Sequence, residues 1–147
     1  MVKGRNGFTL IELLVVLAIM AMVLLIAIPP VMSVLPKMEA KSGAREVAAA
    51  LREARSRAIL SNREVVFSID VAGHSYVVTG DKQVHPLPRE VGLSLYTAQQ
   101  ELLAENIGNI RFFPDGSSTG GSVALSSAKG SYSVTVNWVT GHVEIVE

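Results

Sequence analysis

Few residues of this 147-residue chain could do covalent chemistry, and their spacing argues against it. There is no cysteine, which excludes disulfides, thiolate–zinc sites and thiol nucleophiles. His74, His85 and His142 lie far apart and lack the close spacing of metal ligands. They read as strand or turn residues. Serines are abundant, but none stands in a nucleophile elbow or triad signature. The stretch "PDGSSTGG" has the glycine spacing of a phosphate loop from Gly116 to Gly121, yet Ser122 stands where lysine is needed and no helical pattern follows. Its single acid, Asp115, is too little for a calcium loop. Pro114-Asp115-Gly116 is strong turn chemistry, so the stretch reads first as a structural turn. Because loops often carry function, Asp115, Gly116, Ser117, Ser118 and Thr119 also form a candidate protein-contact loop. No catalytic residue, cofactor or metal is expected, and the chain is not expected to be an enzyme.

The residue most out of place is Glu12. From Phe8 to Leu35 the chain is apolar except for Thr9, Glu12, Pro29, Pro30 and Ser33. A helix rising about 1.5 Å per residue over such a run would cross a hydrocarbon core of about 30 Å. An ionised carboxylate is costly in lipid, at about 2.5–3.5 kcal/mol near the centre of a spanning helix, and needs a partner there. One partner is local. "TLIE" matches a capping box, with Thr9 as N-cap and Glu12 reaching back to the Thr9 amide. The positive end of the helix dipole also favours an acid in the first turn.

Two explanations of the run fit poorly. A cleaved secretory signal would account for Lys3 and Arg5, but it has a shorter apolar core and a small-x-small cleavage site, and "AIPPVMSVLP" offers prolines instead. A plain membrane anchor accounts for the length and leaves Glu12 unexplained. The positive-inside rule decides little, since Lys3 and Arg5 before the run are balanced by Lys37, Lys41 and Arg45 after it.

The stretch "GFTLIELLVVLAIMAMVLLIAIPP" resembles the N-terminus of type IV pilins and type II secretion pseudopilins. The resemblance implies that residues 1–7 are a cytoplasmic leader and that a membrane-embedded aspartic peptidase cuts between Gly7 and Phe8. The Phe8 amine would then be methylated, and Glu12, the fifth mature residue, would pair with the amine of a neighbouring subunit during filament assembly. Pro29 falls at the family's usual helix-kinking position. Residues 8–35 would be the membrane and assembly helix, with the rest of the chain in the periplasm.

The elements beyond the run must carry whatever is displayed. Over residues 36–62, Ala44, Val47, Ala48, Leu51, Ala54, Ala58 and Ile59 recur at three and four, which predicts an amphipathic helix ending at Ser61-Asn62. Glu53 and Arg57 form a favourable i,i+4 pair. The helix arginines read as a solvated face among interspersed acids, with a nucleic-acid stripe as the sharper alternative. From residue 63 to 147 the period becomes two. "VVFSID", "HSYVVTG", "VGLSLYT", "IGNIRFF", "SVALSS", "SYSVTVNWV" and "HVEIVE" predict seven or so short antiparallel strands. "TAQQELLAEN" reads as a loop or one helical turn. The expected class is α+β, a long N-terminal helix packed on an antiparallel β domain of two sheets.

"IRFFPDGSSTGGSVAL" followed by "YSVTVNWVTGHVEIVE" is similar to the C-terminal pattern of H-type minor pseudopilins and the FimT-like pilins, the GspH/FimT-like group. That implies a single-pass inner-membrane protein placed near the tip of a short periplasmic filament that drives folded proteins through an outer-membrane channel. The implied partners are the major G-type and minor I-, J- and K-type pseudopilins, the prepilin peptidase and the inner-membrane assembly platform. The alternative is a minor type IV pilin that primes pili or takes up DNA. Net charge is zero, with 13 basic and 13 acidic residues, and Glu144 and Glu147 make the tail acidic, so nucleic acid is not an expected partner.

Overall fold

Helix α1 spans Leu10–Ser61 and begins at a polar cap. The computed structural model describes residues 9–147 apart from 105 and 129, and the side chains of residues 25–37 lie outside the description. The chain divides into two units, Met1–Leu35 and Pro36–Glu147. At the helix start the Glu12 amide donates to Thr9 Oγ1 at 3.3 Å and to the Thr9 carbonyl at 3.1 Å. At the other end Asn62 takes φ 52°, and the Arg63 amide donates back to the Ala58 carbonyl at 3.3 Å. This is a Schellman stop, so the "SN" exit ends the helix through a left-handed residue. Among the described residues, no helix is long and apolar enough to cross a membrane.

The β domain has nine strands among the described residues, all pairings antiparallel. They are β1 (Val65–Asp70), β2 (Ser75–Val78), β3 (His85–Pro86), β4 (Gly92–Thr97), β5 (Leu102–Ala104), β6 (Ile107–Phe112), β7 (Gly121–Ser127), β8 (Gly130–Val136) and β9 (Val143–Val146). One sheet runs β3-β2-β1-β6-β5 and the other β4-β7-β8-β9. The two sheets and seven longer strands agree with the expectation. The additional strands, β3 and β5, are too short to show a period. "TAQQELLAEN" holds both a helical turn (Gln99–Glu101) and β5, whose pairing with β6 is interrupted by a bulge between Leu102 and Ala104.

The alternation seen in sequence sets the inward faces. Val65, Phe67 and Ile69 of β1 are buried, as are Val123 and Leu125 of β7 and Tyr132, Val134 and Val136 of β8. They join one core with the helix stripe, in which Ala44, Val47, Ala48, Leu51, Ala54 and Ala58 have no exposed surface. Fully burying Leu51 contributes about 1.5–3 kcal/mol. Ile59 departs from the expected stripe and is 43% exposed. It directly follows Ala58, so it turns about 100° away from the inward line. At Gly43 an added Cβ would lie 2.8 Å from Leu125 Cδ2, so the helix approaches β7 closely only because no side chain intervenes.

Candidate functional site

The sequence points to two places, the head of the apolar run and the 114–121 loop. At the first, Gly7 and Phe8 lie outside the described residues, as does the Pro29 side chain. Glu12 is exposed in the first turn of α1. The N-cap half of the capping box forms. Among the described residues, the reciprocal bond from the Glu12 carboxylate to the Thr9 amide does not. The expectation was a closed box. What exists is a cap that leaves the carboxylate to the helix dipole and to outside partners. The side chains from Leu10 to Leu24 are all exposed, with Leu10 at 77% and Met22 at 64%. This surface is apolar save for Thr9 and Glu12.

The loop is built as a turn. The Gly116 amide donates to the Phe113 carbonyl at 2.9 Å, closing a four-residue turn with Pro114 at its second position. Asp115 Oδ1 accepts from the Ser117 amide at 2.9 Å and from Ser117 Oγ at 2.6 Å. These bonds hold the Asp115 carboxyl below the usual carboxylate range. Ser118 is buried, its hydroxyl donating to the Arg111 carbonyl at 2.7 Å and its amide to the Trp138 carbonyl at 2.9 Å. Thr119 Oγ1 accepts from the Arg111 amide at 3.0 Å. Of the five candidate loop residues, Asp115 is the exposed one. The polar groups of Ser117, Ser118 and Thr119 are used inside the fold.

Sequence reasoning missed what grips this loop. Arg55 Nε donates to the Gly116 carbonyl at 3.0 Å, and Arg52 donates to the Val143 carbonyl at 3.0 Å. Arg57 makes the expected pair with Glu53, 2.6 Å, and a second with Asp81 at 2.7 Å. Arg57 is the first cause of the lowered Asp81 carboxyl pKa. Three helix arginines read as a solvated face are therefore engaged with the β domain or its loops. Their partners lie 24 to 91 residues away, which helical periodicity cannot reveal. Arg111 bonds the buried Glu101 at 3.0 Å and Glu64 at 2.9 Å, fixing the "TAQQELLAEN" segment to β6.

The β2–β3 pairing brings His74 and His85 onto neighbouring strand segments, with the Leu87 amide donating to the His74 carbonyl at 2.7 Å, yet each histidine has its own contacts. His74 sits in a turn at φ 48° with Nδ1 3.0 Å from the Pro88 carbonyl. His85, in β3, stacks on Tyr76 at 5.0 Å and lies 3.4 Å from Asp81. His142 follows the last turn. Among the described residues, no group of three histidines and acids could hold a metal ion.

Comparison with known proteins accounts for both ends of the chain. Residues 43–141 match the protein family described as type II transport protein GspH. Residues 2–28 match the prokaryotic N-terminal methylation motif. The type II secretion system protein H of Xanthomonas campestris pv. campestris is 31% identical over 141 residues, spanning 96% of this chain and 83% of that protein. The minor pseudopilin EpsH from the type 2 secretion system of Vibrio cholerae shares the fold with a TM-score of 0.58 at 18% identity, over 74% of this chain and 96% of that one. The type IV minor pilin FimU of Pseudomonas aeruginosa does so with a TM-score of 0.58 at 16% identity, over 76% of this chain and 90% of that one. Likenesses at that identity speak for the fold; the family match and the Xanthomonas relative speak for the lineage. The chain belongs to the GspH family, the H-type minor pseudopilins of type II secretion.

Proposed function

We propose that this chain is cut between Gly7 and Phe8 by a prepilin peptidase, methylated on Phe8, and held in the bacterial inner membrane by residues 8–35. Its C-terminal domain stands in the periplasm. It then joins the pseudopilus near the tip, where the filament drives folded proteins across the outer membrane. The observation that carries this reading is Glu12, an exposed carboxylate in the first turn of an apolar helix surface, within a matched methylation motif. In lipid such a charge requires a partner, and cleavage after Gly7 creates an amine four residues away on this subunit and on each similar neighbour. Pro29 is assigned the helix adjustment that filament packing demands. The partners are the G-, I-, J- and K-type pseudopilins and the assembly platform. Asp115 is the part of its loop available to a neighbour. The role is structural, with no catalysis.

Mass spectrometry of the membrane-extracted protein tests this reading. The expected N-terminus is methylated Phe8, and an intact Met1 in cells with active peptidase would sink the proposal. Glu12→Ala is expected to be cleaved normally and to fall at least tenfold in filament incorporation. Normal incorporation would leave Glu12 with only its first-turn electrostatic role. The second reading, a minor type IV pilin, is supported by the FimU likeness, equal in TM-score to that of EpsH. It predicts salt-sensitive duplex DNA binding or a pilus defect without a secretion defect.

A further inference from the structure

Residues 98–104 lead from the second sheet to the first as a strap that is pinned on either side. Thr97, the last residue of β4, donates its hydroxyl to the Asn109 carbonyl at 2.7 Å. Asn106 offers its carbonyl to the Val71 amide at 2.8 Å. Between these pins the attachments are few. β5 pairs with β6 at Leu102–Gly108 and Ala104–Ile107, with a bulge between the two. All three β5 residues are exposed, Leu103 at 67%. Among the described residues, the side-chain hydrogen bonds that hold the strap run from Arg111 to Glu101, at 3.0 and 3.5 Å. Glu101 is the one charged residue of the strap, and it is buried.

The strap covers apolar surface. At Gly108 an added Cβ would lie 2.5 Å from Leu95 Cδ2 and 3.3 Å from Leu102 Cδ2, so a β4 side chain and a strap side chain meet over bare backbone. Beside them is a cavity of about 180 Å³ lined by Val71, Leu93, Leu95, Leu102 and Ile107. β5 also lies along the outer edge of β6, whose backbone groups would otherwise form an unpaired sheet edge. A segment with few buried apolar contacts and a short, interrupted ladder opens at lower cost than the sheets beneath it. One ion pair sets much of that cost here, because separating it leaves a buried carboxylate without its partner. Lifting the strap breaks no pairing of β1 with β2 or β6, nor of β4 with β7.

We infer that residues 98–104 form a strap latched by the Glu101–Arg111 pair, which lifts as a unit between Thr97 and Asn106 and uncovers the Leu95–Ile107 slot and the edge of β6 while both sheets stay paired. Residue-resolved amide hydrogen exchange on the full chain in detergent tests this, with Phe67 of β1 and Val123 of β7 reporting global unfolding. Amides of residues 99–104 should exchange about 100-fold faster than those two or more, at rates insensitive to low denaturant. Glu101→Gln, which leaves Glu64 to neutralise Arg111, should speed the strap amides about tenfold and leave Phe67 and Val123 unchanged. A thiol gives a second readout, since the chain has no cysteine of its own. Ile107→Cys should be alkylated about tenfold faster when combined with Glu101→Gln. Strap amides that follow Phe67 and Val123 in rate and denaturant slope would overturn the inference. So would a Glu101→Gln effect that is absent or shared equally by strap and sheets, or an unchanged alkylation rate.

Discussion

Gly141 shows how much one missing side chain can carry. It takes φ 61°, and an added Cβ would overlap the Gly116 carbonyl oxygen and lie 2.8 Å from Arg55 Nε. The left-handed backbone alone costs an L-residue about 1–3 kcal/mol. Here the new carbon would also push apart the carbonyl and guanidinium that tie the loop to α1. Gly141→Ala is expected to lower stability by about 2–4 kcal/mol, measured from denaturant midpoints of the full chain in detergent. Tyr76 makes a different statement. Burial first, and the Glu46 carboxylate that accepts its hydroxyl at 3.2 Å second, push its pKa up to about 12 from 10.0. The folded state therefore favours the neutral phenol. That contribution is complete below pH 10 and is lost as the pH rises through about 12. Denaturant midpoints taken from pH 9 upward should fall, and Tyr76→Phe should flatten that part of the fall.

The helix meets the sheets through small residues, and its second half is an element defined by what it lacks. Ala44, Ala48, Ala54 and Ala58 leave no exposed surface and Gly43 leaves no side chain, so β-strand residues such as Leu125 reach the helix directly. Enlarging this stripe has nowhere to go. Ala48→Leu should cost about 1–3 kcal/mol by overpacking, with helix content kept in circular dichroism and the thermal midpoint lowered. The stripe was legible because it is local, as were the strands that alternate, Val65-Phe67-Ile69 being the clearest. The grip of Arg55 on Gly116 and of Arg52 on Val143 was not, since nothing in a 3.6-residue period announces a carbonyl 61 or 91 positions on. β3 and β5 were hidden for the opposite reason: elements of two or three residues have no period to read. Of the two candidate places, the Gly7–Phe8–Glu12 head was legible as a motif. The loop was legible as a turn, because Pro114, Asp115 and Gly116 act on their own neighbours.

At the scale of the whole β domain, the order of strands matters more than their number. The chain lays down β1 to β3 in the first sheet, crosses to place β4 in the second, returns for β5 and β6, and crosses again for β7 to β9. The long strand β1 finds β6 as its second neighbour only after β4 has been made, and β4 waits for β7. Neither sheet can be finished while the other is absent. Such interleaving raises the average sequence separation of contacts and slows folding relative to a run of hairpins. It also means that neither sheet is one continuous stretch of chain that could come away by itself. For a part assigned to a filament under load, that means a head that transmits force as a single block, giving way all at once or not at all.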